Sequence, residues 1–199
     1  MHRVSALLLA STLIVTAAQA TPHVGEPAPA FSSVDTEGRP VKLEDYRGKF
    51  VVLEWTNADC PFVKKHYGAG NMQALQKEAA DKGVVWLSVI SSAPGKQGHV
   101  DGAGANRLTK ERGAVPARVL LDESGAVGHA YAAKTTPHMF LIDPAGKLLY
   151  MGGIDSVPSA EAADIEKAKP YLRLAMTEAL AGKAVTEAVT KPYGCSVKY

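Results

Sequence analysis

Residues 50–66 read FVVLEWTNADCPFVKKH. Phe50–Trp55 is a short apolar run rich in β-branched and aromatic side chains, the pattern of a strand buried on both faces. Asn57 and Asp59 end it, and Pro61 suits the first position of a helix, where no N–H is needed. Cys60 therefore lies between a strand and a helix start. Unpaired N–H groups there stabilise a thiolate and lower its pKa, and Lys64 and Lys65 are expected to add positive charge one turn on. A buried, inert thiol is the competing reading. Such a cysteine fits better inside the apolar run than five residues past Trp55.

Working outward, further elements follow. On the N-terminal side, Glu37-Gly38 turns between two short strands in SSVDTEGRPVKLEDYRGK. On the C-terminal side, Gly68 and Gly70 interrupt the helix, and Asn71 is expected to cap a continuation that stops at Gly83. Val84–Ile90 is a second buried strand. A Gly-rich loop leads to a short helix over RLTKERG, a third strand over Ala117–Glu123 and a helical turn over AVGHAYAA. His138–Asp143 and Lys147–Gly153 form a hairpin around Pro144-Ala145-Gly146. A helix over about 170–181 places Leu172, Met176, Ala179 and Leu180 on one face. The order β-α-β-α-β-α-β-β-α implies an α/β fold, a mixed central sheet flanked by helices.

The chain has 199 residues, 46% hydrophobic and 21% charged, and a formal net charge of +2. That fits one globular domain and gives no electrostatic case for nucleic acid or an anionic membrane. Residues 1–20, MHRVSALLLASTLIVTAAQA, have a basic start, a short apolar run from Val4 to Ala18 and Ala-Gln-Ala before Thr21. This reads as a secretory signal cleaved after Ala20, leaving 21–199 as a soluble domain in the periplasm or outside the cell with no stable membrane insertion. Export makes oxidised thiols the default, and the chain has two cysteines, Cys60 and Cys195.

GEPAPAF, GKFVVLEWTNADCP and TTPHMFLIDPAGKLLY together resemble the thioredoxin-like redoxins, including the alkyl hydroperoxide reductase and thiol-specific antioxidant group. WTNADCPFVKKHY, TTPHMFLID and the tail KPYGCSVKY look most like a peroxiredoxin-like branch. The resemblance spans nearly all of 21–199 and implies a thioredoxin-like fold with thiol redox chemistry. It places Cys60 at the nucleophile position of a Cys-x-x-Cys motif whose second position is Val63. It also matches Thr136-Pro137 to the cis-proline turn that faces the nucleophile and binds substrate. A peroxiredoxin carries Thr or Ser three residues before its reactive cysteine and Pro seven before; Asn57 and Leu53 stand there, which weakens a peroxidase assignment.

With position 63 a valine, the resolving thiol must come from elsewhere. The turn formers of KPYGC make a mobile tail that can carry Cys195 back to Cys60. A Cys60–Cys195 disulfide is then either redox-active or a permanent staple, worth up to ~5 kcal/mol for a loop this long. The leading expectation is a thiol–disulfide oxidoreductase with Cys60 as nucleophile and Cys195 as resolving thiol. Its partners are a protein or small-molecule disulfide, or a peroxide, and an external thiol reductant; no cofactor is implied. Two alternatives are a thiol peroxidase and a non-catalytic binding module or metal carrier with a structural disulfide. For the carrier, His138 beside Pro137 is the one histidine expected near Cys60; His66 is expected beyond its reach. Trp55 and Tyr131 read as core.

Overall fold

A computed structural model describes residues 21–199; the expected leader, 1–20, lies outside the described residues. The strands are β1 (Ser32–Asp35), β2 (Pro40–Lys42), β3 (Val51–Trp55), β4 (Val85–Ile90), β5 (Arg118–Leu121), β6 (Thr135–Thr136), β7 (His138–Ile142), β8 (Leu148–Gly152) and β9 (Cys195–Ser196). The helices are α1 (Pro61–Gly68), α2 (Asn71–Asp81), α3 (Gly102–Glu111), α4 (Ala126–Ala130) and α5 (Tyr171–Leu180). Seven strands make one sheet in the order β2-β1-β5-β4-β3-β7-β8, and β6 and β9 pair separately. β3, β4 and β5 run parallel at the centre, while β7, β8 and β1 are antiparallel to their neighbours. This is the expected mixed α/β architecture, a thioredoxin-like fold.

The sheet has a core layer on each face. Val51, Leu53 and Trp55 of β3 join Phe140 and Ile142 of β7 on one face, under α4 and the N-terminal segment. Val52, Met139 and Leu141 turn to the other, under α1, α2 and α5. The strand period of two explains why β3 and β7 carry apolar residues on both faces: every residue is buried, in alternating layers. Trp55, Tyr131 and Phe140 pack as an aromatic trio with centroids 5.1–5.4 Å apart. Trp55 and Tyr131 are therefore core, as expected.

One polar residue interrupts β3. Glu54 is fully buried and accepts from Trp86 Nε1 (2.9 Å), Ser88 Oγ (2.9 Å), Tyr67 Oη (3.0 Å) and Gln76 Nε2 (3.4 Å). These donors come from β4, α1 and α2, so one carboxylate ties three elements together.

Three boundaries differ from expectation. Gly70, not Asn71, sits at the cap of α2, in the left-handed conformation that glycine adopts freely. The Asn71 amide instead bonds His66. α3 begins at Gly102, well before RLTKERG, because Asp101 caps it by accepting from Gly104 N at 2.7 Å. The backbone approach is also close there: a Cβ on Gly102 would strike the Thr36 carbonyl. Thirdly, the tail is not loose. Cys195 and Ser196 form β9, registered against Thr136 and Thr135.

Candidate active site

Cys60 is the N-cap of α1, with Pro61 at its first position. Its N–H donates to Asn57 O at 3.1 Å, and its carbonyl accepts the first helical bond, from Lys64 N at 2.9 Å. The side chain has no exposure to solvent. The thiol donates to the Thr136 carbonyl at 3.0 Å. Thr136-Pro137 is a cis peptide, and its Thr136 carbonyl is the group that meets the Cys60 thiol.

β6–β9 pairing brings Cys195 alongside. Thr136 and Cys195 are register partners, and Cys195 packs in the same layer as Cys60. Both thiols are free in this structure. Burial by itself raises the Cys60 pKa. The Cys195 thiol and the backbone amides of Cys195 and Val63 outweigh it and hold the group below the ordinary thiol value. Val63 lies in the first turn of α1, so the helix N-terminus contributes as the sequence implies. Cys195 goes the other way: burial, its bond to Cys60 and the Cys60 charge push it up to about 11.

Two expectations about this environment are corrected. Lys64 is exposed, and Lys65, though buried, points away from the sulfur. Its Nζ donates to Val157 O at 3.3 Å and lies 3.8 Å from Asp155 Oδ2. Donated hydrogen bonds, not lysine charge, stabilise the thiolate. His138 does not join the cysteines. Strand alternation turns it to the opposite layer, its ring 4.4 Å from that of Phe140 and its Nδ1 accepting from Lys134 N at 3.3 Å. Burial, then the Lys134 charge, depress its pKa to about 3. Among the described residues, no group of three or more His, Cys, Asp or Glu is placed to hold a metal ion.

Sequence reasoning missed a second set of residues. His66 is fully buried. Asn71 Nδ2 donates to its Nδ1 at 2.8 Å, which leaves the ring proton on Nε2, 3.2 Å from Tyr193 Oη. Tyr193 donates to Asp155 Oδ1, and Asp155 Oδ2 stands 3.7 Å from His66 Nε2. Tyr193 also packs edge-on against Phe62, centroids 5.8 Å apart. This chain fastens the tail to α1 two residues before Cys195. Beyond Cys195, Val197 N donates to Lys134 O at 3.1 Å, and Tyr199 stacks on His129 at 4.0 Å while its hydroxyl donates to Ala133 O at 2.8 Å. The tail is thus held on both sides of its cysteine. Tyr193 lies 127 positions from His66, so no local pattern marks the pair.

The AhpC/TSA family model matches residues 24–151. The thiol-disulfide oxidoreductase ResA of Geobacillus thermodenitrificans is 30% identical over 132 residues, 63% of this chain and 66% of ResA. The chain thus spans about two thirds of the length of that curated relative. Among solved structures, an uncharacterized conserved protein from Geobacillus kaustophilus superposes with a TM-score of 0.74 at 25% identity, covering 89% of this chain and 92% of that one. A protein of Chlorobium tepidum designated a thiol:disulfide interchange protein, DsbE, gives 0.60 at 26% identity, covering 80% and 99%. The strand–Cys60–helix unit, the Thr136-Pro137 turn opposite it and these likenesses converge: the chain belongs to the AhpC/TSA family of thioredoxin-like redoxins.

Proposed function

We propose that this chain is an exported thiol–disulfide oxidoreductase, its working unit 21–199, with Cys60 as nucleophile and Cys195 as resolving thiol. The observation that carries the reading is the placement of Cys195 on Cys60 by β6–β9 pairing, with donors that favour the Cys60 thiolate. Relatives that are thiol–disulfide oxidoreductases support it. The basic, apolar, Ala-Gln-Ala pattern of residues 1–20 supports export to the periplasm or beyond.

The Cys60 thiolate attacks one sulfur of a substrate disulfide. A Cys60–substrate bond forms, and the other substrate sulfur leaves as a thiolate. The Cys60 charge that raised Cys195 is then gone, so Cys195 loses its proton more readily. It attacks the Cys60 sulfur, expels the second substrate thiolate and closes the Cys60–Cys195 disulfide. Two electrons have passed to the substrate. An external dithiol restores the pair. Its thiolate attacks Cys195, the more exposed sulfur, and Cys60 departs as the stabilised thiolate. Thr136 and Pro137 line the approach to Cys60.

Peroxide is the other electrophile this family suggests. A disulfide fits better, because Asn57, where a peroxiredoxin has Thr or Ser, spends its side chain on Asp59 N (2.9 Å) and Gln97 O (3.2 Å). Mass spectrometry of reduced protein mixed with a model disulfide tests the reading. Cys195→Ser should accumulate a mixed disulfide at Cys60, wild type should convert to the intramolecular disulfide, and Cys60→Ser should do neither. A Cys60–Cys195 bond that no physiological dithiol reduces would instead make it a staple.

A further inference from the structure

Cys195 meets Thr136 through a ladder of only two residue pairs, Thr135 with Ser196 and Thr136 with Cys195. Side chains alternate along a strand, so a slip of one residue would turn Cys195 away from Cys60. A ladder this short specifies its own register weakly, and the register must be set from outside it. On the C-terminal side the tail is held by Val197 N on Lys134 O, by Ala93 N donating to Lys198 O at 2.8 Å, and by the exposed Tyr199. On the N-terminal side the hold is of another kind, buried and ionic.

Tyr193 reaches α1, the helix that Cys60 caps. Its hydroxyl accepts from His66 Nε2 at 3.2 Å and donates to Asp155 Oδ1, which also accepts from Val157 N at 3.0 Å. Phe62 meets its ring edge-on, and Lys65 Nζ stands 5.7 Å from the ring centre. Burial and the bond to Asp155 raise the Tyr193 pKa, which keeps the hydroxyl a donor. Asp155 is buried, and its Oδ2 has no hydrogen-bond partner among the described residues. Lys65 Nζ at 3.8 Å and His66 Nε2 at 3.7 Å lie beyond hydrogen-bonding distance of it. A buried carboxylate with an unbonded oxygen costs stability relative to an apolar cluster of the same shape. The best-attested use of such buried polar clusters is to fix register.

We propose that Tyr193, held by Asp155 and His66, is a positioning residue that sets the register of the tail and thereby places Cys195 opposite Cys60. The role rests on the thiol–disulfide reading and adds to it what governs the rate of the second step and the stability of the disulfide. Gly194 leaves no slack between the anchor and the thiol. Its φ is +137°, and a Cβ there would strike the Thr136 carbonyl oxygen, the same atom that receives the Cys60 thiol. The anchor, the nucleophile and the tail backbone are thus referred to one helix and one carbonyl. Without the anchor the tail samples other registers, and the effective concentration of Cys195 at Cys60 falls by the weight of the lost bonds.

The test follows the two steps separately in reduced, full-length protein mixed with the symmetrical disulfide of thionitrobenzoate. In the first step the Cys60 thiolate attacks one reagent sulfur, the Cys60–thionitrobenzoate bond forms and one thionitrobenzoate leaves. In the second, Cys195 gives its proton to solvent and attacks the Cys60 sulfur. The intramolecular disulfide closes and the second thionitrobenzoate leaves. The protein dithiol is oxidised and the reagent reduced, and each release is read by absorbance in a stopped-flow instrument. The equilibrium between dithiol and disulfide is then measured in glutathione buffers.

Tyr193→Phe keeps the ring against Phe62 and removes only the two hydroxyl bonds. Its second phase should slow about tenfold while its first is no slower, the effect of one lost charge-assisted hydrogen bond. The glutathione equilibrium should shift about tenfold toward the dithiol, which corresponds to ~30 mV. Asp155→Asn keeps an acceptor for the hydroxyl but not the charge, and should fall between wild type and Tyr193→Phe in both readouts. Cys195→Ser should show the first phase alone. An unchanged second phase in Tyr193→Phe would overturn the positioning role. So would equal slowing of both phases, which is what general damage to the Cys60 site produces. No first phase in Cys195→Ser would overturn the exchange reading, and the positioning role with it. Tyr193→Phe decides the matter by itself if Asp155→Asn misfolds.

Discussion

Acid should loosen this protein through His66, and the size of the effect follows from its burial. The ring is fully enclosed, and burial, reinforced by Lys65 and opposed by Asp155, depresses its pKa from 6.5 to about 4. A neutral histidine in the fold and a protonatable one in the unfolded chain mean that the unfolded state binds more protons between those values. Stability is therefore full above pH 6.5 and falls as pH drops toward 4. With those two pKa values, linkage gives a loss of about 2.5 kcal/mol between pH 7.5 and 4.5 from this one residue. The perturbation is His66→Gln, which retains an acceptor and a donor but cannot titrate. Urea unfolding of wild type and variant at a series of pH values provides the assay. At pH 7.5 the variant should be the less stable, having lost the fitted contacts to Asn71 and Tyr193. By pH 4.5 the gap should have shifted about 2.5 kcal/mol in the variant's favour. His138, depressed to about 3, titrates in both proteins and cancels from the difference. A gap that stays constant within about 0.5 kcal/mol across this range would refute the assignment of a buried neutral His66.

Three further outcomes test other parts of the structure. Glu54→Leu should destabilise by about 3–5 kcal/mol in urea, since it strands donors from Tyr67, Gln76, Trp86 and Ser88 in the core. Phe140→Ala should cost about 3–5 kcal/mol by removing the ring shared by Trp55 and Tyr131, again read from urea midpoints. Asp101→Ala should cost only about 1 kcal/mol and speed amide exchange in the first turn of α3, because it removes one cap and no packing.

Features that depend on neighbours in the chain are legible in the sequence. The apolar run of β3, Pro61 at the first position of α1 and the hairpin of β7 and β8 place Cys60 at a helix N-terminus from the sequence alone. Periodicity and turn chemistry act over a few residues, so they can be read from a few residues. The Thr136-Pro137 turn was legible through family resemblance. Which distant groups meet depends on folding. Lys65 follows Lys64 in the chain, yet one is buried against Val157 and Asp155 while the other is exposed, because the face of α1 that packs on the sheet is chosen by the core. His138 follows Pro137, yet strand alternation sends it to the other layer. Turn formers in KPYGC suggested a free tail. The partners that hold it, Thr136, His66 and Asp155, lie far back in the chain, and only folding brings them to it. The place of Cys60 at a helix start is a local property of the sequence; the burial of its sulfur, and the strand beside it, are properties of long-range packing.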